Sequence, residues 1–429
     1  MKRVAVVGAG WAGLAAATAL AERGIPVRLL EASRQLGGRA RRVELEGVAV
    51  DNGQHILIGA YRQTLRLVRL VGVDPDRVLA RLPLELRLAG GFRLRAPPLP
   101  APWHLAAALA GARGLAAGEK LAALRFIASL RRSGYRLAGD CTVGTLLARA
   151  RQPERIRRRL WEPLCIAALN TPAAEASAQV FANVLRDTFE SDRAASDLLL
   201  PRADLGTVFP DAAAAFVRQR GGEIALGAAV RSLAPAAGGG WSVGEAGRFA
   251  AVVLATPSWE AAELLRGVAG LGPLAADLAA FRFQPIYTCY LQFAADVRLP
   301  FPMIGFEDGP IHWAFDRGAL TGDAGLIAAV TSARGAHEDA GLEAFARAAR
   351  EAVAAVAASL PELRWSRVIA ERRATFACTP GLRRPANPTA LPGLALAGDY
   401  TESDYPGTLE AAVRSGLAAA AIVARAVAA

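Results

Sequence analysis

Residues 51–55 read Asp-Asn-Gly-Gln-His, between the apolar runs 48–50 and 56–59. A carboxylate, two amides and an imidazole in that setting could hold a polar ligand or move a proton at the end of an apolar space. Imidazole titrates near neutral pH, so His55 is a candidate proton donor. Asp204, in PRADLGTVFP, could serve if burial raises its pKa, and Asp51 by the same route. Asp404 and Tyr405 are weaker candidates. Plainer readings stand beside these: His55 as a hydrogen-bonded structural histidine, Asp204 as a helix N-cap or turn residue. His104, His312 and His337 are spread out with no metal-ligand spacing and read as structural.

A second constellation, VVGAGWAGLAAA, places Gly8, Gly10 and Gly13 in the pattern G-x-G-x-x-G, with Ala9, Trp11 and Ala12 between them. In such a turn the first glycine permits a tight bend, and the second lets the main chain approach a pyrophosphate. The third lets helix and strand pack closely, and the anion sits at the helix N-terminus. A lone match is weak. Here it follows an apolar run and opens a helical pattern. Glu31 and Ala32 then end the next run, where a carboxylate grips a ribose hydroxyl. A glycine-rich turn without a ligand would leave Glu31 unexplained.

These residues need elements to hold them. KRVAVVGAG reads as a buried parallel strand, WAGLAAATALAERG as a helix closed by Gly24, and PVRLLEAS as a second strand. GVAVD reads as a further strand running into Asp51. PPLPAPW reads as a rigid connector. Segments 103–132 and 143–169 are Leu/Ala/Arg-rich with helical spacing. Strand-like segments return at 205–260 and 283–333, an Ala-rich helix follows at about 340–359, and the last residues read as strand, loop, helix. The pattern predicts an α/β protein. A discontinuous Rossmann-like domain comprises 1–80, 203–262 and 362–429. A mixed α+β substrate domain, 81–202 and 263–361, is inserted into it.

LLEASRQLGGRARR, with Gly37, Gly38 and Arg39, resembles the second glycine signature of the flavin-containing amine oxidase and phytoene desaturase superfamily. LALAGDYTESDYPGTLEAAVRSG resembles its C-terminal flavin motif. The resemblance implies that Gly398 and Asp399 meet the diphosphate or ribityl hydroxyls. It also implies that the loop through Tyr405 and Gly407 passes the isoalloxazine, and that the helix beginning near Thr408 and Leu409 points at the flavin. AVVLATP, with Ala255, resembles the superfamily's middle element, and Val230 falls where its members contact adenine. DNGQH resembles the segment passing the flavin ring, which puts Gly53, Gln54 and His55 beside the cofactor. FAD is therefore implied. It is expected to be non-covalent, because no cysteine lies near the C-terminal motif.

DNGQHILIGAY, WEPLCIAALNTP, LLLPRADLGTVFPDAAAAFV and GDYTESDYPGTLEAAVRSG together resemble the hydroxysqualene dehydroxylase family, over most of the chain. That resemblance implies reduction of hydroxysqualene, or a similar long isoprenoid, to squalene, with reduced FAD as hydride donor and an unidentified electron donor for the FAD. A carotenoid-type desaturase or amine oxidase, running the flavin oxidatively, is the alternative. A flavin-stabilised non-enzymatic subunit is a third reading.

Composition sets the outer bounds. The 429 residues are 53% hydrophobic and 21% charged, a folded rather than a disordered composition. The net charge of +11 is almost all arginine. The basic residues are not interleaved with stacking aromatics, which argues against nucleic acid. The charge fits an anionic membrane surface or simply an Arg-rich genome. Segment 103–136 mixes Leu, Trp and Phe with Arg and Lys, as core-facing helices or an interfacial surface would. The expected location is cytoplasmic, peripheral on the inner face of the cell membrane. Arginines interrupt both of the most apolar stretches, 105–117 and 411–429, so neither is an uninterrupted span. The start of the chain reads as a nucleotide-binding strand rather than a signal peptide. Four dispersed cysteines with no CxxC spacing suggest buried thiols in a reducing compartment.

Overall fold

The structure, a computed structural model, describes residues 3–357 and 362–428. Five short strands form a parallel sheet in the order Glu223–Leu226, Val27–Glu31, Val4–Val7, Ala251–Leu254, Leu394–Leu396. Every residue of Val4–Val7 and Ala251–Leu254 is buried, which explains their unbroken apolar character. Helix Trp11–Glu22 is buried from Trp11 to Ala21, so it has no polar face. It packs against helices Pro210–Gln219 and Leu409–Ala428. Leu409–Ala428 is long and apolar enough to cross a membrane. Val413, Ala419, Ala420 and Val423 are nevertheless fully buried within the protein, which makes it a core helix.

A second sheet is antiparallel, in the order Met303–Gly305, Trp313–Asp316, Leu326–Ser332, Phe283–Gln292, Trp365–Phe376. Its side chains alternate between faces. Tyr287, Cys289 and Leu291 pack with Phe345, Ala349 and Val353 of helix His337–Ala354. Trp313, Phe315 and Val330 join the larger core on the other face. Residues 358 and 359, within the expected Ala-rich helix, lie outside the described residues. Trp365–Phe376 pairs with Phe283–Gln292. It thus belongs to the second sheet, although the expected boundary at 362 groups it with the nucleotide-binding segments. Its polar, arginine-rich sequence gives no hint of that partner, and the chain rejoins the parallel sheet only at Leu394.

The inserted segment also forms helices Trp103–Ala110, Ala117–Arg132, Val143–Arg149 and Ala178–Phe189, with a helical run from Glu154 to Leu169. Trp161 anchors them, meeting Phe126 edge-on at 5.3 Å.

Candidate active site

The glycine turn is built as its spacing requires. Gly8 has φ +100°, and a Cβ there would lie 2.6 Å from the Ala255 carbonyl oxygen. A Cβ on Gly13 would fall 1.9 Å from the carbonyl oxygen of Gly8, so only glycine lets the helix come so near the turn. No side chain caps helix Trp11–Glu22, and no acidic residue occupies its first turn. Its opening amides and dipole therefore favour an anion from the cavity side, where Gly8, Gly10, Trp11 and Ala12 lie. Glu31 also lines the cavity. Its Oε2 accepts from the Ala9 amide at 2.6 Å and its Oε1 from the Ser33 amide at 2.8 Å. Each oxygen keeps a lone pair for a ligand hydroxyl.

Three distant segments close on this turn. Arg39 donates to the Ala374 carbonyl at 2.9 Å and to the buried Asp399 carboxylate. Arg384 donates to the carbonyls of Asp399, Ser403 and Tyr405, fixing the loop that carries Asp399. Asn52 accepts from the Arg41 amide and donates to the Arg39 carbonyl at 2.9 Å, which ties the Asp51–His55 stretch to the second glycine signature. Gln54 Nε2 donates to Tyr290 Oη at 2.8 Å, and that hydroxyl donates to the Asp51 carbonyl at 2.7 Å. The stretch is thereby stitched to the antiparallel sheet.

The result is a cavity of about 1080 Å³. One part is lined by the turn, Glu31, Ala32, Val230 and Ala255. Another is lined by Gly38, Arg39, Gly53, Gln54, His55, Gly398, Asp399, Gly407, Thr408 and Leu409. Ile56, Ile166, Ile286, Trp313, Phe315 and Val330 add apolar wall, and Asn170, Ser332 and Glu371 are among the polar residues that also line the cavity. Of the residues expected at a cofactor, Ala9 and Gly13 do not line the cavity. They act behind it, Ala9 through its bond to Glu31 and Gly13 through packing.

The proton-donor candidates divide. His55 lines the cavity, and its covered Nε2 has no hydrogen-bond partner. Burial pulls its pKa down to about 4, so the ring is neutral near pH 7. This corrects the expectation that it titrates near neutrality. Asp204 does not line the cavity. It caps Leu205–Val208, accepting from the Thr207 amide and hydroxyl, and pairs with Arg42. The plainer reading holds for it, and the proton-donor role does not. Asp51 points away as well. Its Oδ1 accepts from the Leu205 amide at 2.8 Å, and burial, partly countered by that bond, raises its pKa to about 7. Tyr405 and Asp404 turn to Arg414 and Arg186 and likewise do not line the cavity.

Three site residues carry no signal of their own in the sequence. Glu371 brings a carboxylate into the cavity from strand Trp365–Phe376 of the antiparallel sheet. Asn170 adopts a left-handed conformation, φ 46°, at the end of helix Glu162–Leu169. Its amide bonds Thr375 Oγ1 at 3.0 Å and the Ala333 amide at 2.7 Å. Arg384 sits in an ordinary-looking loop. Only the quoted WEPLCIAALNTP, which contains Asn170, marked any of the three.

A dinucleotide-binding turn joined to a deep apolar wall defines a redox enzyme that acts on an organic substrate beside its cofactor. The chain belongs to the flavin containing amine oxidoreductase family, whose model matches residues 11–424. It is therefore a flavin-dependent oxidoreductase, and the uncapped helix N-terminus with the Glu31 carboxylate beside it fits a cofactor that carries phosphate and hydroxyl groups. Hydroxysqualene dehydroxylase from Rhodopseudomonas palustris is 31% identical over 443 residues, 98% of each chain. That from Sinorhizobium fredii is 30% identical over 450 residues, 98% of this chain and 97% of its own. The cyclohexylamine oxidase structure from Brevibacterium oxydans shares the fold, with a TM-score of 0.72 and 19% identity over 99% of this chain and 98% of that one.

Proposed function

We propose that this enzyme is an FAD-dependent hydroxysqualene dehydroxylase that holds FAD non-covalently and converts hydroxysqualene to squalene and water. The observation that carries the reading is the single cavity that passes from phosphate-binding amides to a wall of Ile166, Ile286, Trp313, Phe315 and Val330. Its apolar end suits a long polyisoprene and excludes water. Likeness to hydroxysqualene dehydroxylases along the whole chain favours this reading over an oxidative desaturase or amine oxidase.

The opening amides of helix Trp11–Glu22 would hold the FAD diphosphate, Glu31 a ribose hydroxyl, and Asp399, oriented by Arg39 and Arg384, the ribityl chain. Reduced FAD, when bound, supplies a hydride. In the substrate the C–O bond breaks, a C–H bond forms with that hydride, and a proton joins the departing oxygen as water. Neutral His55 would offer a hydrogen bond to the hydroxyl, and Glu371 is one of the carboxyl groups that line the same cavity. None of the four cysteines lines the cavity, in keeping with non-covalent FAD. The test is anaerobic incubation of photoreduced protein with hydroxysqualene. Flavin reoxidation matched by squalene is expected. Neither reoxidation nor squalene would reject the reading.

A lipid substrate also calls for a route from the membrane. We propose that the enzyme works peripherally on the inner face of the cell membrane. Leu99, Trp103 and Leu121 are large apolar side chains left exposed, Trp103 by 65%, on or beside the first two inserted helices, near Lys120. Flotation with anionic liposomes at low salt is expected, and a protein that stays with the soluble fraction would overturn the proposal.

A further inference from the structure

Beside the flavin cavity lies a second concavity of about 480 Å³. Arg282, Arg334, Arg372 and Arg373 line it, with Glu175 as the carboxylate among its lining residues. All four arginines are exposed, and among the described residues none of them makes an ion pair. Like charges gathered this way repel one another, and an anion relieves the repulsion.

The concavity and the cavity share a wall but no lining residue. Glu371, Ala374 and Thr375 of strand Trp365–Phe376 line the cavity, whereas Arg372 and Arg373 line the concavity. The Arg373 guanidinium lies 4.8 Å from the ring centroid of Trp259, which lines the cavity. Trp259 meets Phe283, which lines the concavity, edge-on at 4.9 Å.

We infer that the arginine concavity docks an acidic electron-carrier protein, which re-reduces the flavin through this wall by two one-electron transfers. The inference rests on the reductive reading above. A flavin that gives up a hydride in every turnover must regain two electrons from an outside reductant, and the accompanying protons come from solvent. The carrier is oxidised by one electron in each transfer. The charge of the concavity favours one class of reductant, a protein that docks outside the cavity. A nicotinamide must lay its ring against the flavin to pass a hydride, which requires entry into the cavity. Single electrons need no such contact, and Thr375 of the shared strand lies against Gly407 on the cavity side. The positive charge of the concavity matches an acidic surface and steers its approach.

The test uses holoenzyme and reduced flavodoxin, an acidic carrier, in anaerobic stopped flow. The bimolecular rate of flavin reduction is expected to fall about tenfold from low to high salt. At low salt R334E/R372E should slow it about tenfold. Reduction of the same variant by dithionite should match the wild type, as should single-turnover conversion of hydroxysqualene after prereduction. If the double variant loses its flavin, R334Q and R372Q carry the test, each expected to be about threefold slower. Unchanged rates in these variants, or a salt-independent wild type, would overturn the inference. So would faster reduction of the wild type by NADPH. Arginine-dependent reduction without squalene formation would sustain the docking site and reject the dehydroxylase reading instead.

Discussion

The parallel sheet meets the cavity with main chain, the antiparallel sheet with side chains. At the parallel sheet, strands of three to five residues lead into turns and a helix where Gly8, Gly38 and Gly13 admit no side chain without a clash or a strained φ. At the antiparallel sheet, Ile286, Trp313, Phe315 and Val330 fill a volume that other apolar side chains of similar total size could fill. The first surface has almost one solution and the second has many. On the proposed function, the first surface would hold the cofactor and the second the substrate.

The largest expected effect breaks the first surface. Gly13→Val forces a side chain into the Gly8 carbonyl and should abolish isolation of flavin-loaded protein, read from visible absorbance per mole of chain. A yellow, stable variant would contradict the close approach seen here.

Trp313→Ala attacks the second surface. Flavin content should hold while kcat/KM for the isoprenoid falls on the order of 30-fold, the loss of about 2 kcal/mol of apolar contact. Equal loss of flavin and turnover would show that the two surfaces are not separable.

His55→Gln sharpens the comparison, because His55 stands where the surfaces meet. A ring with pKa about 4 is neutral at pH 6 to 8, so turnover should change by less than about tenfold. The wild-type profile should show no inflection from this group in that range. The sign for stability follows. Folding lowers the pKa from 6.5, so protonation favours the unfolded chain, and stability falls as pH drops from about 6.5 towards 4. A wild-type inflection near pH 6.5 that vanishes in the variant would restore His55 as the titrating acid.

The smallest effect is expected from Asp204→Ala. Loss of the cap should cost about 1 kcal/mol in denaturant unfolding and leave turnover unchanged. A collapse of turnover in well-folded protein would return Asp204 to the chemistry.

The same contrast explains what the sequence disclosed. Gly8, Gly10, Gly13 and Glu31 are legible because steric exclusion at the glycines and a carboxylate closing the next strand form a pattern of fixed spacing. Gly398, Asp399 and Gly407 are legible by resemblance. Glu371 is not, because it pairs with Ile286, 85 residues earlier (371 − 286), and has Arg372 and Arg373 beside it. Asn170 and Arg384 hold carbonyls and amides contributed by other segments, and no local pattern announces such bonds. Asp51 and His55 look alike in the sequence as polar residues within one short stretch. Only packing shows that one faces Leu205 and the other the cavity.

The cavity draws on residues 7–12 and on residues 398–409. A ribosome must therefore add almost 400 residues between the first half of the cofactor cradle and the second. Strand Leu394–Leu396 must pair with Ala251–Leu254, and Arg39 must find Asp399, before the cradle closes. Loading of the cofactor is thus a late event in the life of the chain.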